Sequence, residues 1–213
     1  MRKTKQVYNR IGITGSPGTG KKTVGKALAD ILHLEFVSIN EFAIRNHFGS
    51  RENSEYVVDV RKLRGRIHTK ARIVVGHLLP YLVPNKDLDL VVVLRCSPKL
   101  LRKRYSLRHY PEEKIIENIE AEMIGLIADK AAQVYSPSKL AEFDTSRTRP
   151  ASIARRIVNI IKGKTAPSFG SIDWLTSSNY SAFSEMLHGK CNRFNTPKRI
   201  TRFANRKARK SRY

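Results

Sequence analysis

Nine consecutive residues constrain this chain more than any others: Gly15-Ser16-Pro17-Gly18-Thr19-Gly20-Lys21-Lys22-Thr23. Arg10-Ile11-Gly12-Ile13-Thr14 precedes them and reads as a short buried strand. Val24, Ala27, Leu28, Ile31 and Leu32 follow at the spacing of one helix face. Strand, glycine-rich turn and helix, in that order, are the context of a phosphate-binding loop. Gly15 and Gly20 stand five apart with Lys21 next, so the pattern G-x-x-x-x-G-K is complete.

The physical reasons are specific. Glycine admits backbone conformations closed to other residues and lets the main chain approach an anion closely. The free N–H groups at the start of the helix point at that anion, and the helix dipole favours it. Lys21 adds a full positive charge for the β- and γ-phosphates. The motif ordinarily ends in serine or threonine, whose hydroxyl binds Mg²⁺; here that place holds Lys22. Thr23 brings a hydroxyl one residue later, about 100° further round the helix.

A length of 213 residues suits one α/β domain with an appendage. The two cysteines, Cys96 and Cys191, lie far apart, form no disulfide framework and fit a reducing cytoplasm. Cys96 closes an apolar run and is expected as a buried thiol. Met1-Arg2-Lys3-Thr4-Lys5 is basic without the apolar segment of a signal peptide, and Leu90 to Leu94 is too short to cross a bilayer. A cytoplasmic protein with no membrane partner is expected. The net charge of +23 exceeds what nucleotide binding requires. It points to a polyanion, most simply RNA or a ribosomal particle; a cell whose proteins are generally basic, or charge serving only solubility, is the alternative.

Further along, residues 35–39 read as a second strand, with Asn40 capping a helix from Glu41 to His47. Residues 48–54 are polar and turn-rich, and a charged helix is expected from Asp59 through Ile67. A third strand covers residues 72–77. A fourth lies within 87–96, rich in valine as a buried parallel strand should be. Ser97-Pro98 opens a basic helix to about Arg108. Pro111 starts one long helix carrying Ile115, Ile116, Ile119, Met123, Leu126 and Ile127 on its apolar side. Residues 140–144 form a fifth strand, and Pro150 begins a last helix with Ile153, Ile157, Ile160 and Ile161 inward. Alternating strands and helices imply a parallel sheet covered on both faces, with the ligand at the carboxyl ends of the strands.

Composition changes near Gly163. From Lys164 onward eleven Lys and Arg stand against two acids, Asp173 and Glu185. Phe194, Phe203 and Tyr213 are interleaved with the basic residues. Residues 1–163 are therefore expected as the folded domain and 164–213 as a basic, disordered tail, with Trp174 and Leu175 able to dock one short piece. An RNA-contacting arm and a solubilising tail are the two readings of this segment.

Three further stretches narrow the chemistry: Ile39 to Arg45, Leu101 to Pro111 running into the Glu117-Asn118-Ile119 helix, and Asp144-Thr145-Ser146 to Pro150. With the loop, their order resembles the small nucleoside monophosphate kinases of the adenylate kinase type. It is most similar to the archaeal and eukaryotic branch that includes the coilin-interacting nuclear ATPase protein. The resemblance covers roughly residues 9–162. It implies a three-layer P-loop nucleoside-kinase fold: a five-stranded parallel sheet with helices on both faces, an acceptor-binding region at about 40–62 and a short lid at about 107–118. It also implies roles. Gly18, Gly20, Lys21, Lys22 and Thr23 would hold the phosphates of ATP, Lys22 through its backbone N–H. Arg45 would bind the acceptor monophosphate, Arg108 would close on ATP from the lid, and Arg149 would contact the donor nucleotide. His77 matches the histidine of the family's motif after the third strand. Lys21, Arg108 and His77 would be the catalytic set.

The sequence departs from the family at two places. Val75 stands where many relatives have an aspartate, and Lys22 replaces the usual hydroxyl. Mg²⁺ would then rely on phosphates, water and an acid such as Glu41 or Asp59, or Lys22 would replace part of its charge. The resemblance implies transfer of the ATP γ-phosphate to AMP or a related monophosphate, with ATPase activity because a short lid excludes water poorly. It places that activity in maturation of the small ribosomal subunit, with a platform ribosomal protein and rRNA as partners. The alternatives are an assembly ATPase with incidental kinase turnover and a nucleotide-regulated RNA-binding module.

Overall fold

The computed structural model describes residues 8–52, 55–67 and 71–176, together with Ser181, Phe183 and Ser184. In chain order its elements are β1 (Ile11–Thr14), α1 (Lys21–Leu32), β2 (Phe36–Ser38), α2 (Ile39–Arg45), β3 (Gly49–Glu52), β4 (Glu55–Val58), α3 (Val60–Leu63) and β5 (Ile73–Val75). Then come α4 (Leu79–Leu82), β6 (Leu90–Arg95), α5 (Pro98–Ser106), α6 (Glu112–Met123), α7 (Leu126–Val134), β7 (Leu140–Asp144) and α8 (Pro150–Ile161).

Every residue of β6 is buried, and the alternation of a strand explains why all of them must be apolar or paired. Leu90, Val92 and Leu94 pack with Val24, Leu28, Ile153 and Ile157 from α1 and α8. Val91 and Val93 face the other way, among Ile39, Leu79 and Ala131 from α2, α4 and α7. The sheet is thus the middle layer of three. Its order is β2-β5-β1-β6-β7, and every neighbouring pair is parallel. The expected five-stranded parallel sheet with helices on both faces is what the chain forms. Central β1 delivers the glycine loop to the carboxyl edge of the sheet, where open α/β folds bind ligands.

Gly15 makes that exit possible. Its φ is +136°, and a Cβ there would lie 2.2 Å from the carbonyl oxygen of Leu94. Gly15→Ala is expected to cost about 1–3 kcal/mol from backbone conformation alone, with the clash added. Urea denaturation measures it, and a change under about 0.5 kcal/mol would contradict this account of the turn.

Several local expectations need correction. Ser38, not Asn40, caps α2: its hydroxyl accepts from the Glu41 N–H, and the helix begins at Ile39. Residues 48–54 were expected as a turn; Gly49–Glu52 instead pairs antiparallel with Glu55–Val58. The β-branched and aromatic residues Tyr56, Val57 and Val58 favour that pairing, and the Tyr56 hydroxyl donates to the Ala43 carbonyl at 3.2 Å. The helix expected from Asp59 to Ile67 is one turn, α3. The long helix from Pro111 is two. Gly125 takes a left-handed φ of +64° and ends the first, as glycines beyond a helix C-terminus commonly do. The second is reoriented by that break, which leaves Leu126 45% exposed instead of on the apolar side.

One compact unit runs through Trp174, and a second begins at Leu175. The Glu142 N–H donates to the Ser168 carbonyl at 2.8 Å, so residues after α8 cover part of the exposed edge of β7. The expected basic arm falls mostly on residues outside the described ones, as does Cys191; Cys96 is fully buried, as expected. Among the described residues, no helix is long and apolar enough to cross a membrane.

Candidate functional site

The glycine loop is held by its carbonyls. The Ser16 carbonyl accepts from Thr19 Oγ1 at 2.8 Å and Lys21 Nζ at 2.7 Å. The Gly18 carbonyl accepts from the Arg104 guanidinium at 2.7 Å, and the Pro17 carbonyl accepts from the Tyr105 hydroxyl. Both side chains come from α5, the helix opened by Ser97-Pro98. The Thr19 N–H also donates to the Ser16 carbonyl, at 3.3 Å, so the N–H groups that face a ligand are those at the start of α1. Gly20 starts α1 in a left-handed conformation; no side chain caps the helix, and its first turn carries no acid. Such an end favours an anion.

A cavity of about 730 Å³ lies against this loop. Among the expected residues, Gly18, Gly20, Lys21, Lys22, Thr23, His77 and Arg108 line it. Helix α1, the turn after β5 and the stretch after α5 thus meet at one place. Arg45 and Arg149 are exposed and are not among the residues lining it. Tyr56, Tyr110 and Asn118 also line it, and sequence reasoning gave none of them an individual role. Tyr110 stacks on Tyr105 with ring centroids 5.4 Å apart, and His109 takes a φ of +54° in the tight link between α5 and α6. A second concavity, of about 810 Å³ and lined by Arg10, Arg64 and Tyr81, shares no lining residue with the first.

Burial pushes the Lys21 ammonium down to about 7; Glu122 acts against that shift and Arg108 adds to it. Burial, helped by the charge of Lys21, lowers His77 to about 4, so its imidazole is neutral at pH 7. His77 therefore offers a hydrogen bond, not a charge. A phosphate in the cavity would raise the Lys21 pKa, because it favours the charged ammonium. Nucleotide affinity is then full below about pH 7 and falls as pH rises above it, since binding must take up a proton. Calorimetry in buffers of different ionisation enthalpy should show proton uptake at pH 8 that Lys21→Ala abolishes. Equal uptake in both proteins would contradict the assignment.

Among the described residues, the acids expected near Mg²⁺ are engaged elsewhere. Lys22 is directed to Glu41 Oε1 at 2.5 Å, an exposed ion pair between α1 and α2. Glu41 is thereby engaged, and the Lys22 ammonium is paired with it. Asp59 caps α3, accepting from the Lys62 N–H at 3.0 Å. Val75 is buried. Among the described residues, no group of three or more His, Cys, Asp and Glu could hold a metal ion.

Glu122, to which sequence reading gave no role, also reaches the loop. It is 1% exposed, and its carboxylate accepts from Ser16 Oγ at 2.6 Å. Arg95 Nε donates to it at 2.8 Å, and another Arg95 nitrogen reaches Glu142 at 3.1 Å. One signal was available: Glu122 stands in the apolar stripe of Ile115, Ile119 and Met123, where a lone acid requires a buried partner.

A phosphate loop after the central strand of a parallel sheet, with a lysine and an arginine on one cavity, defines a P-loop protein of the small-molecule kinase class. The fold agrees with that of shikimate kinase from Acinetobacter baumannii in complex with shikimate, at a TM-score of 0.50 and 20% identity, over 75% of this chain and 96% of that one. A family model described as AAA domain matches residues 11–125. A Thermococcus kodakarensis protein named "Putative adenylate kinase" is 35% identical over 168 residues, 77% of this chain and 92% of the relative. A protein of the same name from Archaeoglobus fulgidus is 35% identical over 78% of this chain and 92% of its own length. The chain belongs to this family, the adenylate kinase-like P-loop nucleoside monophosphate kinases.

Proposed function

We propose that this protein transfers the γ-phosphate of ATP to AMP or a related nucleoside monophosphate. The observation that carries the reading is the convergence of the α1 N-terminus, Lys21 and Arg108 on one cavity of about 730 Å³. Phosphoryl transfer needs in-line placement and neutralised charge, with little covalent chemistry from the protein. An oxygen of the acceptor monophosphate forms the new bond to the γ-phosphorus as the bond to the departing ADP oxygen breaks. The loop N–H groups and Lys21 hold the donor phosphates. Arg108, next to the tight turn at His109, offsets charge on the moving group. Neutral His77 supplies a hydrogen bond at the same cavity. Magnesium belongs here to the substrate, as Mg-ATP. Arg45 and Arg149 would join the acceptor and donor sites only after a movement of their segments.

The setting we propose is cytoplasmic, in maturation of the small ribosomal subunit, with a platform ribosomal protein and rRNA as partners and ATP hydrolysis beside transfer. The net charge of +23 and the basic composition after Lys164 support it. The second reading is an assembly ATPase or a nucleotide-regulated RNA binder; the Lys22–Glu41 pair, where a metal-binding hydroxyl belongs, favours slow turnover. Coupled detection of ADP from full-length protein and Mg-ATP, with and without AMP, separates them. AMP-dependent ADP formation supports the kinase. Phosphate release indifferent to AMP supports the ATPase, and ATP binding without turnover supports the RNA binder.

A further inference from the structure

We propose that Glu122 is a positioning residue for the phosphate loop and that Trp174 completes its hydrogen-bond set, so that docking of residues 164–174 and nucleotide binding are coupled. This rests on the nucleotide reading of the loop and adds a regulatory input to it.

The contacts are few and specific. Glu122 Oε2 accepts from Ser16 Oγ inside the glycine loop at 2.6 Å. Glu122 Oε1 accepts from Arg95 Nε at 2.8 Å, from the Cys96 N–H at 3.0 Å and from the Trp174 indole N–H at 3.1 Å. One carboxylate therefore ties together the loop, the end of β6, helix α6 and the segment that follows α8. That segment engages the neighbouring acid as well. The N–H groups of Gly170 and Ile172 donate to Glu142 Oε2 at 3.1 and 3.2 Å, and the Ile172 carbonyl accepts from Arg95 at 3.3 Å.

Charge makes the arrangement one unit. Arg95 is a single cation between two carboxylates, each at least nine-tenths buried. Three N–H donors from residues 170–174 supply what the guanidinium alone cannot. Undocking them strips three donors from two carboxylates that share one cation, a costly change. The carboxylate would then turn toward Arg95, and its bond to Ser16 would weaken. Ser16 also supplies the carbonyl that holds Lys21, so the disturbance reaches the phosphate-binding lysine. The negative charge of Glu122 supports the proton on Lys21 as well. By linkage, a ligand that orders the loop strengthens docking of the segment by the same factor.

The chain contains one tryptophan, so its emission reports this contact directly. The experiment uses full-length protein titrated with a non-hydrolysable ATP analogue, following Trp174 fluorescence for the wild type and Ser16→Ala and calorimetry for all variants. The analogue should change the emission of the wild type and leave that of Ser16→Ala unchanged. Ser16→Ala and Trp174→Phe should each weaken analogue binding about five- to tenfold, within the net range of one ordinary hydrogen bond, since each acts on the nucleotide through the loop. The double variant should be no weaker than the worse single one, because both break one chain of contacts. Wild-type binding with unaffected variants, or with effects that multiply, overturns the coupling alone. A wild type that binds no analogue overturns the nucleotide reading, and the coupling falls with it. Neither variant removes a buried charge, so both should fold where a Glu122 variant would not.

Discussion

Lys21→Ala is expected to lower ADP formation from Mg-ATP and AMP by about 10²- to 10³-fold, the usual cost of removing one preorganised donor to a developing charge. Lys21 follows the left-handed Gly20 at the first position of α1, with its ammonium 2.7 Å from the Ser16 carbonyl. That bond keeps the side chain folded back over the loop, where the β- and γ-phosphates are expected. The ammonium is enclosed enough for its pKa to fall to about 7, so a phosphate there gains much more from it than from an exposed lysine. Alanine leaves the loop's N–H groups and Arg108 in place, so ATP binding should weaken less than turnover. Only the Ser16 bond is lost from the fold, and the melting temperature should move by a few degrees at most. The measurement is a coupled assay of ADP with an unfolding curve beside it. Full activity in a folded Lys21→Ala protein would remove the phosphate loop from the mechanism.

Arg95→Met is expected to destabilise the fold by about 3–5 kcal/mol. The methionine fills similar space but leaves Glu122 and Glu142 buried together without a cation. Hydrogen bonds from Ser16, the Cys96 N–H, Trp174 and the N–H groups of Gly170 and Ile172 remain, which sets the loss at a few kcal/mol instead of complete unfolding. At about 2–4 °C per kcal/mol for a chain of this size, the melting temperature should drop by roughly 10 °C. Breaking the exposed Lys22–Glu41 pair with Lys22→Ala should change stability by less than about 1 kcal/mol. The comparison is informative because both are ion pairs of short geometry and differ mainly in burial. Equal effects in urea denaturation would mean that the buried network is not holding the unit together.

Much of the fold was legible in the sequence because it depends on periodicity and on turn chemistry that act locally. The glycine loop announces itself through residues 15–23, and β6 through an unbroken run of valine and leucine. Pro98 and Pro150 mark the starts of α5 and α8 at the first helical position. The errors were also local. Gly125 sits inside a helical pattern, and a pattern alone does not say whether a glycine is tolerated or terminates the helix. The β3–β4 hairpin was lost because its first strand, Gly-Ser-Arg-Glu, has the composition of a turn.

The sequence by itself determined that a phosphate-binding loop follows a buried strand, that strands and helices alternate, and that the chain is strongly basic. Only the tertiary structure decided which charged residues serve that loop. Ser16 and Glu122 are 106 residues apart, and Arg95 meets Ile172 across 77. No periodicity connects such positions; they meet because β6, α6 and the segment after α8 converge behind one turn. The tertiary structure likewise set Lys22 against Glu41 and left Arg45 and Arg149 outside the cavity's lining. The reason is the same throughout: a short motif specifies its own backbone, whereas the partner of a buried charge is chosen by packing, since an unpaired charge in the interior costs more than nearly any local preference can supply.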